Sequence, residues 1–201
     1  MVTVGDDAPI FTGSLADGDI EPFDLDDYLG AEPIVLAFFP AAFSNTCTDE
    51  MEALRDEFDQ SGCTLFGVST DLPHALAEYQ TQYDLPFALV GDPDHRAIEA
   101  YDVIESFDHY GVDTVAQRAV FVIDAAGVVT YRWLAEHSGQ EPDYDALADA
   151  VDAAQPSRGP RSDAPPSLRQ GRVTPLAPPD SPSTKGRQGP LRYTRIRSPA
   201  G

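Results

Sequence analysis

The sequence predicts a layered α/β domain on a mixed sheet, and three observations carry that expectation. Short apolar runs rich in β-branched and aromatic residues alternate with segments of helical periodicity. The early runs are separated by helix-length segments, as parallel strands require, whereas the last two are joined by a tight turn. A sharp change in charge and proline content near residue 155 marks where the folded part ends.

Taken in order, residues 34–39 form the first strand candidate, and residues 47–60 a helix with Met51, Leu54 and Phe58 on one face. Strand 64–69, helix 73–83, strand 87–90 and helix 94–101 follow. Strands 119–123 and 128–133 flank Asp124-Ala125-Ala126-Gly127, which reads as a hairpin turn. Helix 144–153 closes the domain. Parallel strands in front, an antiparallel pair behind and helices between them are the order of a thioredoxin-like fold, a central mixed sheet flanked by helices.

Charge divides the chain. Residues 1–155 hold 32 Asp and Glu against Arg55, Arg96, Arg118 and Arg132, a balance of −28; residues 156–201 hold nine Lys and Arg against Asp163 and Asp180, a balance of +7. The second segment also carries 10 of the 18 prolines and a single aromatic, Tyr193, too little apolar surface to offset chain entropy. Residues 1–155 are therefore expected to be the domain and residues 156–201 a disordered tail. A linker or non-native extension is favoured for that tail over a nucleic-acid-binding arm, because scattered basic residues without aromatic interleaving hold phosphates weakly.

An acidic domain whose chain has one lysine, Lys185 in the tail, resembles a salt-adapted, halophilic cytoplasmic protein, in which ionic strength screens self-repulsion. No signal segment and no apolar stretch of membrane-spanning length is visible, so a soluble cytoplasmic location is expected. Two cysteines are too few for a disulfide framework and too far apart for C-x-x-C. Four histidines show no metal-ligand spacing with them, so neither a metal nor a cofactor is expected. His74, His95, His109 and His137 read as solvated or capping residues.

One junction carries chemistry. Phe39-Pro40-Ala41-Ala42-Phe43-Ser44-Asn45-Thr46-Cys47 places a thiol where the first strand ends and the first helix begins. Helix N-termini present unbonded N–H groups and partial positive charge, which favour a thiolate over a thiol. A reactive cysteine follows as the first hypothesis.

Pro40-x-x-x-Ser44-x-x-Cys47 resembles the P-x-x-x-[TS]-x-x-C signature of peroxiredoxins, and Glu50 falls where many members keep an acid. Three further segments resemble the family in family order: Phe66-Gly67-Val68-Ser69-Thr70-Asp71, then Leu89-Val90-Gly91-Asp92-Pro93-Asp94, then Arg118-Ala119-Val120-Phe121-Val122-Ile123-Asp124. The resemblance covers about residues 3–154 and implies a thiol-dependent peroxidase acting on hydrogen peroxide or organic hydroperoxides through a sulfenic acid at Cys47.

In that chemistry a thiolate attacks one peroxide oxygen while negative charge develops on the other, so donors must wait there. The resemblance gives Cys47 the nucleophile's role and Ser44 the peroxide contact, through a hydroxyl that both donates and accepts. It gives Arg118 the stabilisation of thiolate and leaving oxygen by a permanently charged fork of donors. Pro40 shapes the loop and shields the sulfur, and Glu50 orients the arginine. Plainer readings stand beside these: a surface ion pair for Arg118, a helix cap for Ser44, dipole compensation for Glu50. Of the aromatics, Phe38, Phe39 and Phe43 read as core and pocket wall, with Phe43 the nearest candidate to line the site.

Cys63 is the only other thiol. A helix over residues 47–60 puts it roughly 20 Å from Cys47, beyond the separation of about 7 Å that a disulfide tolerates. The position five residues after Cys47, where some peroxiredoxins resolve, is Glu52. The expectation is therefore a one-cysteine enzyme reduced by an external thiol or thioredoxin-like protein, with Cys63 structural and a disulfide between subunits left open. The resemblance also implies a homodimer or larger assembly. Two other functions fit the same residues: a peroxide sensor or redox relay that oxidises a partner protein, and a non-catalytic thioredoxin-like binding module.

Overall fold

The computed structural model describes residues 1–58, 62–107, 111–137 and 139–156. The expected tail, residues 156–201, lies outside them except for Pro156, as does His109.

Nine strands and four helices form among the described residues: β1 Thr12–Asp17, β2 Asp19–Asp24, β3 Ile34–Phe38, α1 Asn45–Phe58, β4 Thr64–Ser69, α2 Pro73–Gln82, β5 Ala88–Gly91, α3 Arg96–Ala100, β6 Ile104–Phe107, β7 Val112–Ala116, β8 Ala119–Ile123, β9 Val129–Leu134 and α4 Tyr144–Ala154. A 3-10 turn, Leu25–Tyr28, follows β2. Seven strands make one mixed sheet in the order β2-β1-β5-β4-β3-β8-β9, and β6 pairs with β7 in a separate ribbon. β3, β4 and β5 are mutually parallel, while β8 runs antiparallel to β3 and β9 antiparallel to β8. The expected fold class is therefore what forms: parallel strands in front, an antiparallel pair behind, helices around them.

β3 lies between β4 and β8, and every one of its residues is buried, as a strand covered on both faces demands. Its alternation sorts the core. Ile34, Leu36 and Phe38 join Phe66, Val68, Phe121, Ile98 and Tyr101 on one face; Val35, Ala37 and Phe39 join Met51, Leu54, Leu76, Tyr79, Leu147 and Val151 of α1, α2 and α4 on the other. Gly67 of β4 makes the second packing possible. A Cβ there would come within 2.6 Å of Leu89 Cδ2, 3.2 Å of the Phe39 ring and 3.3 Å of the Met51 sulfur.

Register positions the site. Parallel pairing of Phe38 with Val68 and antiparallel pairing of Phe38 with Ala119 bring three chain segments to one end of the sheet: the loop after β3, residues 70–71 after β4, and Arg118 just ahead of β8.

The hairpin turn forms as expected, with Asp124 Oδ1 accepting from the N–H groups of Ala126 at 2.9 Å and Val128 at 3.0 Å, and Gly127 at φ 83°. Helix α1 begins two residues earlier than expected, because the Ser44 carbonyl already accepts from the Thr48 N–H at 2.9 Å. Helix α3 is shorter than the expected 94–101: the Asp92 carboxylate accepts from Arg96, Ala97 and Ile98 N–H and so fixes its start. Strands β1, β2, β6 and β7 carry few buried side chains, so their sequences lack the apolar runs that reveal the others. No described helix is long and apolar enough to cross a membrane.

Candidate active site

Cys47 is the third residue of α1 and is 1% exposed. The backbone N–H groups of a first helical turn lack intrahelical partners, so the sulfur sits in the positive end of the helix field. Arg118 arrives from the other side. Its Nη2 lies 3.4 Å from Cys47 Sγ, its Nη1 donates to the Thr46 carbonyl at 3.3 Å, and the same Nη1 pairs with Glu50 Oε2. At 1% exposure Arg118 is no surface ion-pair partner, which removes that reading of it.

Glu50, one turn after Cys47 on α1, is fully buried. Burial pushes its carboxyl up to about 7, against the pull of Arg118, and the charge of Glu141 pushes in the same direction as burial. Glu50 Oε1 and Arg118 Nε are buried without a protein hydrogen-bond partner. Beneath the thiol, the Tyr79 hydroxyl donates to Thr48 Oγ1 at 3.1 Å, and burial raises the Tyr79 hydroxyl above its ordinary range.

Pro40 is buried at the end of β3, and Ser44 is half-buried at the residue ahead of α1. Phe43 takes a left-handed backbone at φ 62°, is 44% exposed, and packs its ring edge-on to Tyr79 with centroids 5.0 Å apart. Four residues named from sequence, Pro40, Ser44, Cys47 and Arg118, thus lie on the two segments that meet at this end of the sheet, with Glu50 beside them. Phe38 instead points into the opposite, aromatic face.

Asp71 was not foreseen. Its Oδ2 accepts from the Ala42 N–H at 2.7 Å, a link across 29 residues that only the parallel β3–β4 pairing brings about. The Thr46 carbonyl was missed for a simpler reason: a backbone acceptor leaves no mark in a sequence.

Cys63 lies elsewhere. It lines a cavity of about 300 Å³ with Arg55, Phe58, Phe66 and Phe87, at the opposite end of α1 from Cys47. Eleven helical residues separate Cys47 from Phe58, roughly 16 Å of rise. The two cysteines are not joined to each other. His74 lies in the first turn of α2, His95 precedes α3 and His137 follows β9. No group of His, Cys, Asp and Glu among the described residues is placed to hold a metal ion.

Residues 4–132 match the AhpC/TSA family. The chain is 32% identical over 154 residues to Peroxiredoxin Bcp of Escherichia coli, covering 67% of this chain and 96% of that one. It is 31% identical over 158 residues to Alkyl hydroperoxide reductase E of Mycobacterium tuberculosis, covering 76% and 98%. Among solved structures, Xanthomonas campestris Peroxiredoxin Q superposes with a TM-score of 0.59 at 28% identity, covering 72% of this chain and 92% of that one. Mycobacterium tuberculosis AhpC shares the fold, with a TM-score of 0.63 at 24% identity over 76% of this chain and 93% of that one. The buried thiol at a helix start, the arginine against it and these matches agree: the chain belongs to the AhpC/TSA family and is a peroxiredoxin, a thiol-dependent peroxidase.

Proposed function

We propose that Cys47 is the sulfur that reduces the peroxide, that Arg118 and Ser44 hold the reacting oxygens, and that Pro40 shapes and shields their loop. The observation that carries this reading is the 3.4 Å approach of Arg118 Nη2 to Cys47 Sγ inside the first turn of α1. In the first half-reaction the thiolate attacks the terminal oxygen of a hydroperoxide, forming an S–O bond as the O–O bond breaks. Sulfur is oxidised to sulfenic acid, and the departing hydroxide or alkoxide takes up a proton to leave as water or alcohol. Negative charge moves from sulfur to the leaving oxygen, and a guanidinium spans both without losing its own charge. Glu50 holds that guanidinium through Nη1, which leaves Nη2 directed at the sulfur.

In the second half-reaction an external thiol attacks the sulfenic sulfur, water leaves, and a mixed disulfide forms. A second thiol then releases Cys47 and carries away the disulfide. Cys63 takes no part within the subunit, since it lies at the far end of α1, and the position five residues after Cys47, where some peroxiredoxins carry a resolving cysteine, is Glu52. A sulfur 1% exposed must emerge for so large a reductant, so the loop or the first helical turn opens between the two halves. The partners on this reading are a peroxide, a small or thioredoxin-like thiol, and a second copy of the chain in a dimer or larger assembly. We assign residues 1–155 all of this chemistry, with 156–201 dispensable, and place the enzyme in a salt-rich cytoplasm that screens its −28 balance.

Peroxide consumption in the presence of dithiothreitol tests the assignment with three proteins. Wild type and Cys63→Ser should turn over at rates within about twofold of each other, whereas Cys47→Ser should not turn over. A disulfide containing Cys63 in wild type treated with one equivalent of hydrogen peroxide without dithiothreitol would replace the one-cysteine cycle with one that resolves on the second thiol.

A further inference from the structure

Asp71 ends the segment Phe66-Gly67-Val68-Ser69-Thr70-Asp71, which the chemistry above leaves without a task. Its Oδ2 accepts from the Ala42 N–H at 2.7 Å and from the Ser69 hydroxyl at 2.7 Å, while its own N–H donates to Ser69 Oγ at 3.2 Å. Ser69 is fully buried at the end of β4. Gly91, at the end of β5, lets the main chain of Asp71 approach: a Cβ there would stand 3.0 Å from the Asp71 carbonyl oxygen. The carboxylate is therefore held from behind by Ser69 of β4, its main chain backs onto β5, and it reaches forward to the loop that carries Pro40 and Ser44.

Apart from the Phe43 ring packed on Tyr79 and Tyr83, few bonds fix the backbone of that loop. The Phe39 N–H makes the last bond to β4, through the Val68 carbonyl at 3.0 Å, and the helical ladder begins only with the Ser44 carbonyl. Pro40 has no N–H to give. Directly after Ala42, Phe43 holds φ 62°, a left-handed backbone that a bulky side chain adopts only where its surroundings enforce it. A carboxylate suits the task, because it is acceptor-only and its bonds to N–H and O–H are charge-assisted.

We propose that Asp71 is a positioning residue for peroxide reduction: bound to the Ala42 N–H, its carboxylate locks the left-handed turn at Phe43 and so sets the Ser44 hydroxyl that meets the peroxide. This rests on the roles proposed for Cys47 and Ser44.

The test is rapid mixing of the full-length protein with hydrogen peroxide, quenching, and mass detection of oxidised Cys47, alongside the rate of Cys47 alkylation by iodoacetamide. Alkylation needs the thiolate but no peroxide cradle. Asp71→Ala should slow oxidation by about tenfold or more, the worth of one charge-assisted hydrogen bond, with alkylation unchanged or faster. Asp71→Asn keeps an acceptor oxygen and should recover to within about threefold of wild type. If Asp71→Ala does not fold, Ser69→Ala, which removes one anchor of the carboxylate, should give a smaller loss with the same split between the two reagents. Oxidation at the wild-type rate in a folded Asp71→Ala or Ser69→Ala protein overturns the proposal. So does an equal fall in oxidation and alkylation, which marks general damage to the fold. Slow oxidation of Cys47 in the wild type itself overturns the peroxidase roles, and this proposal with them.

Discussion

The two faces of the sheet are built from the same strands and do different work. On one, Phe11, Phe23, Phe38, Phe66, Tyr101 and Phe121 form a continuous set of ring contacts with centroids 5.0–5.9 Å apart, including Phe38–Phe121 at 5.8 Å and Tyr101–Phe121 at 5.0 Å. On the other, under α1, α2 and α4, the apolar core accommodates Cys47, and the Arg118–Glu50 pair and the Tyr79–Thr48 bond lie buried at the start of α1. Burying charge is costly unless it is paired and hydrogen-bonded, so the second face gives up packing that the first obtains without penalty. On the function proposed above, peroxide chemistry needs a buried sulfur with a fixed cation beside it, and the second face places Arg118 Nη2 3.4 Å from Cys47 Sγ.

The largest effects should separate the faces most cleanly. Arg118→Ala strips the cation from Cys47 and leaves Glu50 buried without its partner. Cys47 oxidation by hydrogen peroxide should fall about a hundredfold or more, and urea denaturation should show a stability loss of about 3 kcal/mol. Phe121→Ala on the aromatic face should cost about 3–5 kcal/mol in the same denaturation, with the oxidation rate of the folded fraction unchanged. A Phe121→Ala protein that stayed folded but oxidised slowly would break the division of labour between the faces.

Packing at Gly67 offers a finer probe, because this residue lies under α1 without belonging to the site. Gly67→Ala forces Leu89, Phe39 and Met51 apart and should lower stability by about 1–3 kcal/mol in urea.

Glu50 links the two properties through pH. Its carboxyl is raised from 4.5 to about 7, so between those values the folded state binds more protons than the unfolded one. Its contribution to stability is present at low pH and is lost as pH rises toward 7. Urea midpoints across that window, compared between wild type and Glu50→Gln, should show wild type losing ground to the variant with rising pH. A parallel pair of curves would mean that Glu50 stays ionised throughout. The smallest effect is expected from removing residues 157–201, which should change the Cys47 oxidation rate by less than about twofold.

How much of this was legible in the sequence follows from what each feature rests on. The central strands, α1, α2 and α4 were readable because burial writes itself as apolar periodicity, as in Met51, Leu54 and Phe58. The β1–β2 hairpin was not, since its strands run Thr-Gly-Ser-Leu-Ala-Asp and Asp-Ile-Glu-Pro-Phe-Asp with only Ala16 and Phe23 buried. Cys47, Ser44, Pro40 and Arg118 could be named as candidates because a family spacing picks them out, although nothing in composition joins residue 118 to residue 47. Asp71 escaped for the converse reason. Its partner is a backbone N–H, and it meets that partner only through strand register.

On the proposed function, one thiol is prepared for peroxide and the other is not. Rapid mixing of wild type with hydrogen peroxide, followed by quenching and mass detection at each cysteine, measures that directly. Cys47 should be oxidised at least about a hundredfold faster than Cys63, since only Cys47 has the helix start and Arg118 beside it. Equal rates at the two cysteines would mean that Cys47 is not the peroxide-reducing sulfur.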